Sequence, residues 1–164
     1  MAEKDYVVPE LKVEVQNCTF KMKDLLEVMK EWVSLNRYYI KEDEYRESKE
    51  GDRKTVNISW EVNREVDDYT KLQIKVKFKM TGKNVAIKKK GVSVKGDIKL
   101  ILEGIMVTDR ENVWEKTAGL KFLRDIYDTT FQKSKMDNYR NKLENECNAL
   151  YNEIKAFFDL HVKN

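Results

Sequence analysis

The chain has 164 residues, of which 41% are hydrophobic and 37% charged, and its formal net charge is +3. A chain of this length buries a sizeable core without disulfides or metals, and its composition excludes intrinsically disordered and collagen-like proteins. The first residues lack the apolar stretch of a signal peptide, and the longest nearly apolar run, Leu100 to Val107, is too short to span a bilayer. We therefore expect one globular domain in the cytoplasm.

The cysteine and lysine content indicates the cellular compartment and the growth temperature of the source. Cys18 and Cys147 lie far apart and show neither the spacing of a metal site nor that of a redox motif, so we predict two buried free thiols in a reducing compartment. Lysine outnumbers arginine by 25 to seven, and the chain has a single proline. This lysine-rich composition is similar to that of heat-adapted proteins and suggests a thermophilic source.

The first predicted elements are a short strand and an amphipathic helix. Apolar and charged residues alternate over Leu11–Val15, which is typical of a strand. Over Met22–Val33, apolar residues recur at the i, i+3, i+4 and i+7 spacing of one helix face. Thr19 is the predicted N-cap of this helix. Asn36 is its predicted end, because asparagine tolerates the left-handed conformation that ends helices.

Three predicted strands follow the helix. Tyr38–Glu47 is rich in β-forming residues but strongly charged in its second half, which suits an edge strand. After a turn at Gly51-Asp52, polar and apolar residues alternate over Val56–Val62. Lys71–Met80 alternates without interruption and places five large apolar side chains on one face. A sheet with one polar face is antiparallel and needs helices over its apolar face.

The pairing of the last two of these strands follows from their alternation. Core residues on both strands have even numbers, so the loop between them has an odd length, and Asp67–Tyr69 supplies one of three residues. The apolar face fixes this register, because exposed charge pairs contribute only about 0.2–1 kcal/mol each. The predicted cross-strand pairs are Trp60 with Val76, Glu61 with Lys75, and Glu65 with Lys71.

The segment after Gly82 is less regular. Two weak strand segments, Val85–Ile87 and Val92–Val94, precede a long strand over Lys95–Thr108. The second half of this strand carries apolar residues on both faces. We therefore expect either a local cover over its second face or a bulge at Gly104 that swaps the faces.

After Trp114 the apolar period becomes helical. The stripe slips at Gln132–Lys135, where we expect a bend or break. A longer stripe over Met136–Phe158 then predicts a helix of about six to eight turns. The first stripe comprises Leu120, Leu123, Ile126 or Tyr127, and Phe131.

These elements predict a single α+β domain over residues 1–164, with an antiparallel sheet of five to six strands and with an N-terminal and a long C-terminal helix on its apolar face. This element order resembles the helix-grip architecture of the START and polyketide-cyclase-like superfamily. The resemblance implies an apolar cavity between a curved sheet and the last helix. The alternative is that the residues between the sheet and the last helix are ordinary core packing, which needs no ligand. The candidate lining residues are Trp32, Trp60, Phe78, Tyr139, Leu143, Leu150, Ile154 and Phe158.

Lysines concentrate between Lys83 and Lys95, and this segment is a second candidate site. Its positive charge would attract the phosphates of a nucleic acid or an anionic membrane surface. The segment lacks the arginines and interleaved aromatic residues that nucleic-acid contacts favour, so a solvated surface is the alternative and we do not expect a nucleic-acid partner. The candidate anion-binding residues are Lys83, Lys88, Lys89, Lys90 and Lys95, and the lysines of Lys71–Lys79 continue the charge over the polar sheet face.

Residues suited to catalysis are sparse. The single histidine, His161, lies three residues from the end of the sequence, where fraying is expected. Glu103 interrupts an apolar run and would mark a functional site if it lay inside the protein, but on a half-exposed strand it points outwards. We expect no catalysis, no cofactor and no bound metal.

Three hypotheses for function follow. The first is a non-catalytic protein that binds a hydrophobic or amphipathic small molecule between the sheet and the C-terminal helix. The second is a protein-interaction or assembly module, including a homo-oligomer, that docks through this helix; dissociation on charging Leu143 and Leu150 would support it. The third is binding of nucleic acid or an anionic surface on the lysine-rich sheet face.

Overall fold

Residues 3–87, 91–108 and 133–162 are described by the computed structural model. The elements within them are β1 (Glu3–Phe20), α1 (Met22–Leu35), β2 (Tyr39–Glu50), β3 (Arg53–Glu65), β4 (Thr70–Ile87), β5 (Gly91–Thr108) and α2 (Lys133–Val162). The strands form one antiparallel sheet in the order β1-β5-β4-β3-β2, and α2 packs against it. The predicted α+β class, with a long C-terminal helix on the sheet, is confirmed.

The sheet has an inner face, which packs against the helices, and an opposite outer face. In β4, Ile74, Val76 and Phe78 are buried on the inner face, whereas Lys77 and Lys79 are exposed on the outer face. The alternation arises because successive side chains of a strand point to opposite faces. An apolar layer therefore forms under the helices while positive charge collects on the other side.

β3 and β4 pair in the predicted register. The N–H of Val66 donates a hydrogen bond to the carbonyl of Thr70 at 3.1 Å, which closes the predicted three-residue loop Asp67–Tyr69. The agreement shows that burial of one face is enough to select a register when both strands alternate without a fault. All three predicted pairs form: Trp60 opposite Val76, Glu61 opposite Lys75, and Glu65 opposite Lys71.

β2 is an edge strand, as its charge predicted. All of its residues are exposed except the half-buried Ile40. Gly51 turns the chain into β3 with a φ of 64°, a left-handed conformation that glycine adopts without strain. Charged side chains on such an exposed edge hinder pairing with another chain.

The predicted N-cap of α1 is wrong. β1 continues to Phe20 and includes Thr19, so the cap position falls on Lys21, which makes no side-chain capping hydrogen bond. Phe20 is 2% exposed and pairs with β5. Its burial stabilises the strand beyond Thr19, although threonine is a common N-cap residue. Asn36 is the C-cap as predicted, but the left-handed residue is Arg37, with a φ of 62°.

Gly82 lies within β4 and does not end it. The β4–β5 ladder runs without a register shift along Thr70–Ile87, so the two weak predicted segments are the end of β4 and the start of β5. Gly82 lies directly opposite Gly96. A Cβ atom on Gly82 would lie only 2.7 Å from the Gly96 Cα, so the missing side chains permit this close approach of two strands.

The predicted bulge at Gly104 is also wrong, whereas the alternative of a shielded second face is confirmed. The β4–β5 register is regular at Gly104, and the irregularities lie in the neighbouring β1, on both sides of Val8. Ile105 and Val107 are buried although they lie on the outer face. Gly104 makes room for Val8, because a Cβ atom there would lie 2.9 Å from the Val8 Cγ2.

The 30-residue helix α2 covers the sheet mainly over β1 and β5 and also contacts α1. Its length corresponds to about eight turns, as predicted. It begins at Lys133, within the predicted break, and the predicted stripe from Leu120 to Phe131 lies outside the described residues. Neither α1 nor α2 is both long and apolar enough to cross a membrane. The buried residues of α2 are Met136, Leu143, Cys147, Leu150, Ile154, Phe157 and Phe158.

Candidate functional site

The eight residues predicted to line a cavity come together in the core. Seven of them are buried, and Tyr139 is half-buried against the same cluster. Leu143, Leu150 and Ile154 have no exposed surface. Because these residues pack between α2 and the inner face, a charge at Leu143 or Leu150 tests folding as much as assembly.

The Tyr139 hydroxyl belongs to a polar cluster at the β3–β4 loop. It donates a hydrogen bond to Asp67 Oδ2 at 3.1 Å, and Lys135 Nζ lies 3.2 Å from the same oxygen. Asp67 Oδ1 accepts hydrogen bonds from the backbone N–H groups of Tyr69 at 2.8 Å and Thr70 at 2.6 Å. The sequence identifies Asp67 only as a turn former, but it also holds the first turns of α2.

We expect the contribution of Asp67 to the free energy of unfolding to be lost in acid. Partial burial raises the pKa of Asp67, but hydrogen bonds from two backbone N–H groups, Lys135 and Tyr139 outweigh it and hold the pKa below its ordinary value of 3.8. A carboxyl whose pKa is lower in the folded state stabilises the fold above the unfolded pKa, and this contribution is lost as the pH falls through the folded pKa. Asp67→Asn should lower the free energy of unfolding by about 2 kcal/mol at neutral pH.

Urea unfolding at several pH values tests this prediction. The difference between Asp67→Asn and the wild type should shrink as the pH falls, and Asp52→Asn, at the exposed β2–β3 turn, is the control. If Asp67→Asn lowered the free energy of unfolding equally in acid and at neutral pH, the shape of this side chain, and not its charge, would explain its role.

A second polar cluster joins α2 to the junction between α1 and β2. Tyr38 donates a hydrogen bond to Glu146 Oε2 at 2.5 Å, and Arg64 Nη1 lies 3.5 Å from Glu146 Oε1. The same Arg64 nitrogen donates to the carbonyl of Asn36 at 3.3 Å. Burial, together with the hydrogen bond and charge of Glu146, raises the pKa of Tyr38 far above its ordinary value, so the phenol remains a hydrogen-bond donor.

The other residues considered for chemistry occupy structural positions. Cys18 and Cys147 are buried and free, as predicted, and burial raises the pKa of the Cys147 thiol to about 12, which makes it a poor nucleophile at neutral pH. The His161 ring stacks on Phe157, and its Nδ1 lies 2.7 Å from the carbonyl oxygen of that residue. Glu103 is half-buried on the outer face, as predicted.

A cleft of about 370 Å³ lies between the N-terminal end of α2 and the strands β1 and β5, and we call it the α2 cleft. The eight predicted lining residues are not part of it, because they lie deeper in the core. Sequence periodicity does not reveal this cleft, since it combines the start of one strand, the end of another and the start of a helix. Its lining residues are Glu3, Lys4, Asp5, Met106, Thr108, Lys133, Met136, Asp137 and Arg140.

The α2 cleft combines buried apolar side chains with a charged rim. Met106 and Met136 are only 2% and 7% exposed. At the rim, Arg140 Nε lies 2.7 Å from Asp5 Oδ2, and Arg140 Nη1 lies 3.2 Å from Asp137 Oδ1. One arginine therefore engages two of the carboxylates that line the cleft.

The predicted anion-binding lysines are only partly described. Lys83 and Lys95 are exposed and lie directly opposite each other in the β4–β5 ladder. Lys88, Lys89 and Lys90 lie outside the described residues. The structure therefore places two of the five candidate lysines together.

Neutralisation of the outer-face lysines is weaker than the sequence indicated. Glu61 lies opposite Lys75, but its carboxylate forms an ion pair with Lys41, 3.6 Å away. Within the described ranges, Lys75, Lys77 and Lys79 make no ion pair. Lys75 lies directly between Glu61 and Glu103 in the two ladders, so the unbalanced positive charge of β4 lies at Lys77 and Lys79.

No protein-family model matches the chain, and no curated protein shows significant sequence similarity to it. The resemblance to the helix-grip superfamily therefore remains a prediction based on element order.

Proposed function

We propose that the protein binds a small amphipathic carboxylate in the α2 cleft, without catalysing a reaction. The observation that carries this proposal is the combination of an apolar floor with a rim on which Lys133 makes no ion pair within the described part of the chain. The cleft volume of about 370 Å³ is at the lower end for small-molecule sites, which favours a ligand with a short tail. This proposal keeps the predicted class of ligand, an amphipathic small molecule. It moves the binding site from the core between sheet and helix to the N-terminal end of α2.

Charge at the rim favours an anionic head group. Arg140 already engages Asp5 and Asp137, whereas Lys133 makes no ion pair among the residues that the structure describes. A ligand carboxylate near Lys133 would accept a charge-assisted hydrogen bond, which is stronger than a neutral one. A cationic ligand would meet an ammonium group instead.

The floor suits a hydrocarbon tail. Met106 and Met136 expose little surface to the cleft, so a tail needs these side chains to turn aside, which the unbranched and flexible methionine side chain permits. Thr70 Oγ1 lies 3.8 Å from the Met136 sulfur, a weak hydrogen bond that positions this side chain. Each buried methylene group contributes about 0.8 kcal/mol, so affinity should rise with tail length until the cleft is full.

Native mass spectrometry of the protein purified from its expression host, followed by denaturing extraction, is the first test. Titration calorimetry then compares decanoate with decanol, which has the same tail but no charge. We expect decanoate to bind and decanol to bind at least tenfold more weakly, because the alcohol cannot form the charge-assisted hydrogen bonds.

A matched pair of variants locates the head group. Lys133→Gln should weaken decanoate binding about tenfold, whereas Lys23→Gln, on an exposed helix position, should leave it unchanged. Equal binding of decanoate and decanol, or equal effects of the two variants, would contradict the proposal.

A further inference from the structure

A second site lies on the outer face of the sheet, far from α2, and is independent of the α2 cleft. Two shallow depressions, of about 370 and 270 Å³, adjoin there, and Lys79 and Lys99 line both. Lys77 lines the larger one, together with the polar side chains of Asn57 and Ser59. We call Lys77, Lys79 and Lys99 the lysine band.

The lysine band brings like charges together. Lys79 lies directly opposite Lys99, and two pairs further along the same face Lys83 lies opposite Lys95. Like charges directly opposite one another on a sheet are destabilising. The pair between them on this face includes Asp97, which offsets part of this repulsion, and a bound anion would offset the rest.

Two of the three described carboxylates in the depressions form ion pairs. Glu14 Oε1 lies 3.9 Å from Lys99 Nζ, and Glu44 Oε1 lies 3.4 Å from Arg46 Nε. Asp97 Oδ1 accepts a hydrogen bond from the backbone N–H of Asn17 at 3.0 Å, a neutral donor that leaves the carboxylate charge in place. Lys77 and Lys79 have no such partner in the described part of the chain, so they remain available to a ligand.

The depressions form a strip across the sheet. Their lining residues come from all five strands, and neighbouring strands lie about 4.8 Å apart, so the strip is about 19 Å long. Lys79 and Lys99 lie on neighbouring strands, about 4.8 Å apart across the sheet, and Lys77 lies about 6.6 Å from Lys79 along β4. The second distance is comparable to the separation of successive phosphates in an extended nucleic-acid strand. The lysine band is therefore a compact cluster that fits two neighbouring phosphates.

Contrary to the expectation from the sequence, we propose that the lysine band binds the phosphate backbone of a single-stranded nucleic acid. We expect binding to be independent of base sequence, because the described lining residues include no arginine, the residue suited to bidentate contacts, and the aromatic Phe78 belongs to the inner face. If the two unpaired lysines neutralise two phosphates, log K falls with log[salt] with a slope of about −1.4. Affinity then drops about sevenfold between about 50 and about 200 mM salt.

Fluorescence anisotropy with a labelled oligothymidylate tests this inference on the full chain. We expect binding with the stated salt dependence, and a loss of at least tenfold in Lys77→Glu/Lys79→Glu. Lys77→Gln/Lys79→Gln should lose less and should reduce the salt slope by more than half. Lys23→Glu/Lys155→Glu changes the net charge by the same amount on exposed helix positions and should lose less than threefold.

Three results with oligothymidylate would overturn the inference. They are no oligothymidylate binding at about 50 mM salt, binding that does not depend on salt, and an equal loss in the two glutamate double variants. Binding to phosphatidylserine vesicles with none to oligothymidylate would also overturn it, because it would assign the lysines to a membrane surface.

Discussion

Replacing Phe158 with alanine is expected to lower the free energy of unfolding by about 3–5 kcal/mol. This side chain is 1% exposed, and its ring packs edge-on against Phe20, with the ring centroids 5.5 Å apart, and against Phe157, at 5.3 Å. Truncation removes both aromatic contacts and leaves a cavity where α2 meets the end of β1. Urea unfolding at neutral pH, with the slope of the transition recorded, measures the loss.

Leu160→Ala is the matched control, because Leu160 lies on the same helix two residues away and is 68% exposed. It should change the free energy of unfolding by no more than about 0.5 kcal/mol. The comparison also bears on the predicted role of Phe158 in lining a cavity. If Phe158→Ala cost no more than Leu160→Ala, the side chain would border open space and not a packed core.

The sequence predicted those features of the fold that depend on local period. Uninterrupted alternation in Lys71–Met80 and in Val56–Val62 defines the buried face of each strand, and one loop length satisfies both faces. The spacing of apolar residues in α2 likewise defines its buried side. Such patterns are robust because shifting a strand by one residue would expose every apolar side chain it carries.

The two polar clusters were not predictable in the same way. Tyr139 and Asp67 are 72 residues apart, and Tyr38 and Glu146 are 108 residues apart. These contacts depend on where α2 crosses the sheet, which no local period specifies. A tyrosine on an apolar stripe, such as Tyr139, signals burial of its ring but does not identify the partner of its hydroxyl group.

The α2 cleft and the lysine band differ in how much the sequence revealed. The lysines of β4 were visible as an alternating charge, and their position on the outer face follows from the apolar residues between them. The depressions and the engagement of Glu14 and Asp97 depend on neighbouring strands. In the α2 cleft, Met106 and Met136 lie in separate elements, so their convergence needed the structure.

Gly82 shows how a local interpretation fails in a sheet. A glycine followed by a weakly patterned segment indicates the end of a strand, because glycine has low β propensity. The ladder nevertheless continues through Gly82, which pairs with the second glycine, Gly96. The pair is 14 residues apart in sequence and becomes visible only when the two strands are aligned.

Gly82→Ala is therefore expected to destabilise the protein by about 3 kcal/mol, at the upper end of the cost of overpacking. The added Cβ atom would meet the carbonyl oxygen of Lys95 and lie 2.8 Å from its carbonyl carbon, and backbone atoms cannot rotate away as a side chain does. This cost exceeds the gain of up to about 1 kcal/mol that alanine brings by restricting the unfolded chain. Lys83→Ala, at the next and exposed position, should be close to neutral.

A double-mutant cycle separates this steric contact from a loss of strand propensity. Each single substitution, Gly82→Ala or Gly96→Ala, has to separate the same two strands, so the second one meets space that the first has opened. We therefore expect the double variant to lose clearly less stability than the two single losses added together. If the stability losses of the two single variants added up to that of the double variant, each glycine would act alone. The close approach of β4 and β5 would then not explain why glycine occupies either position.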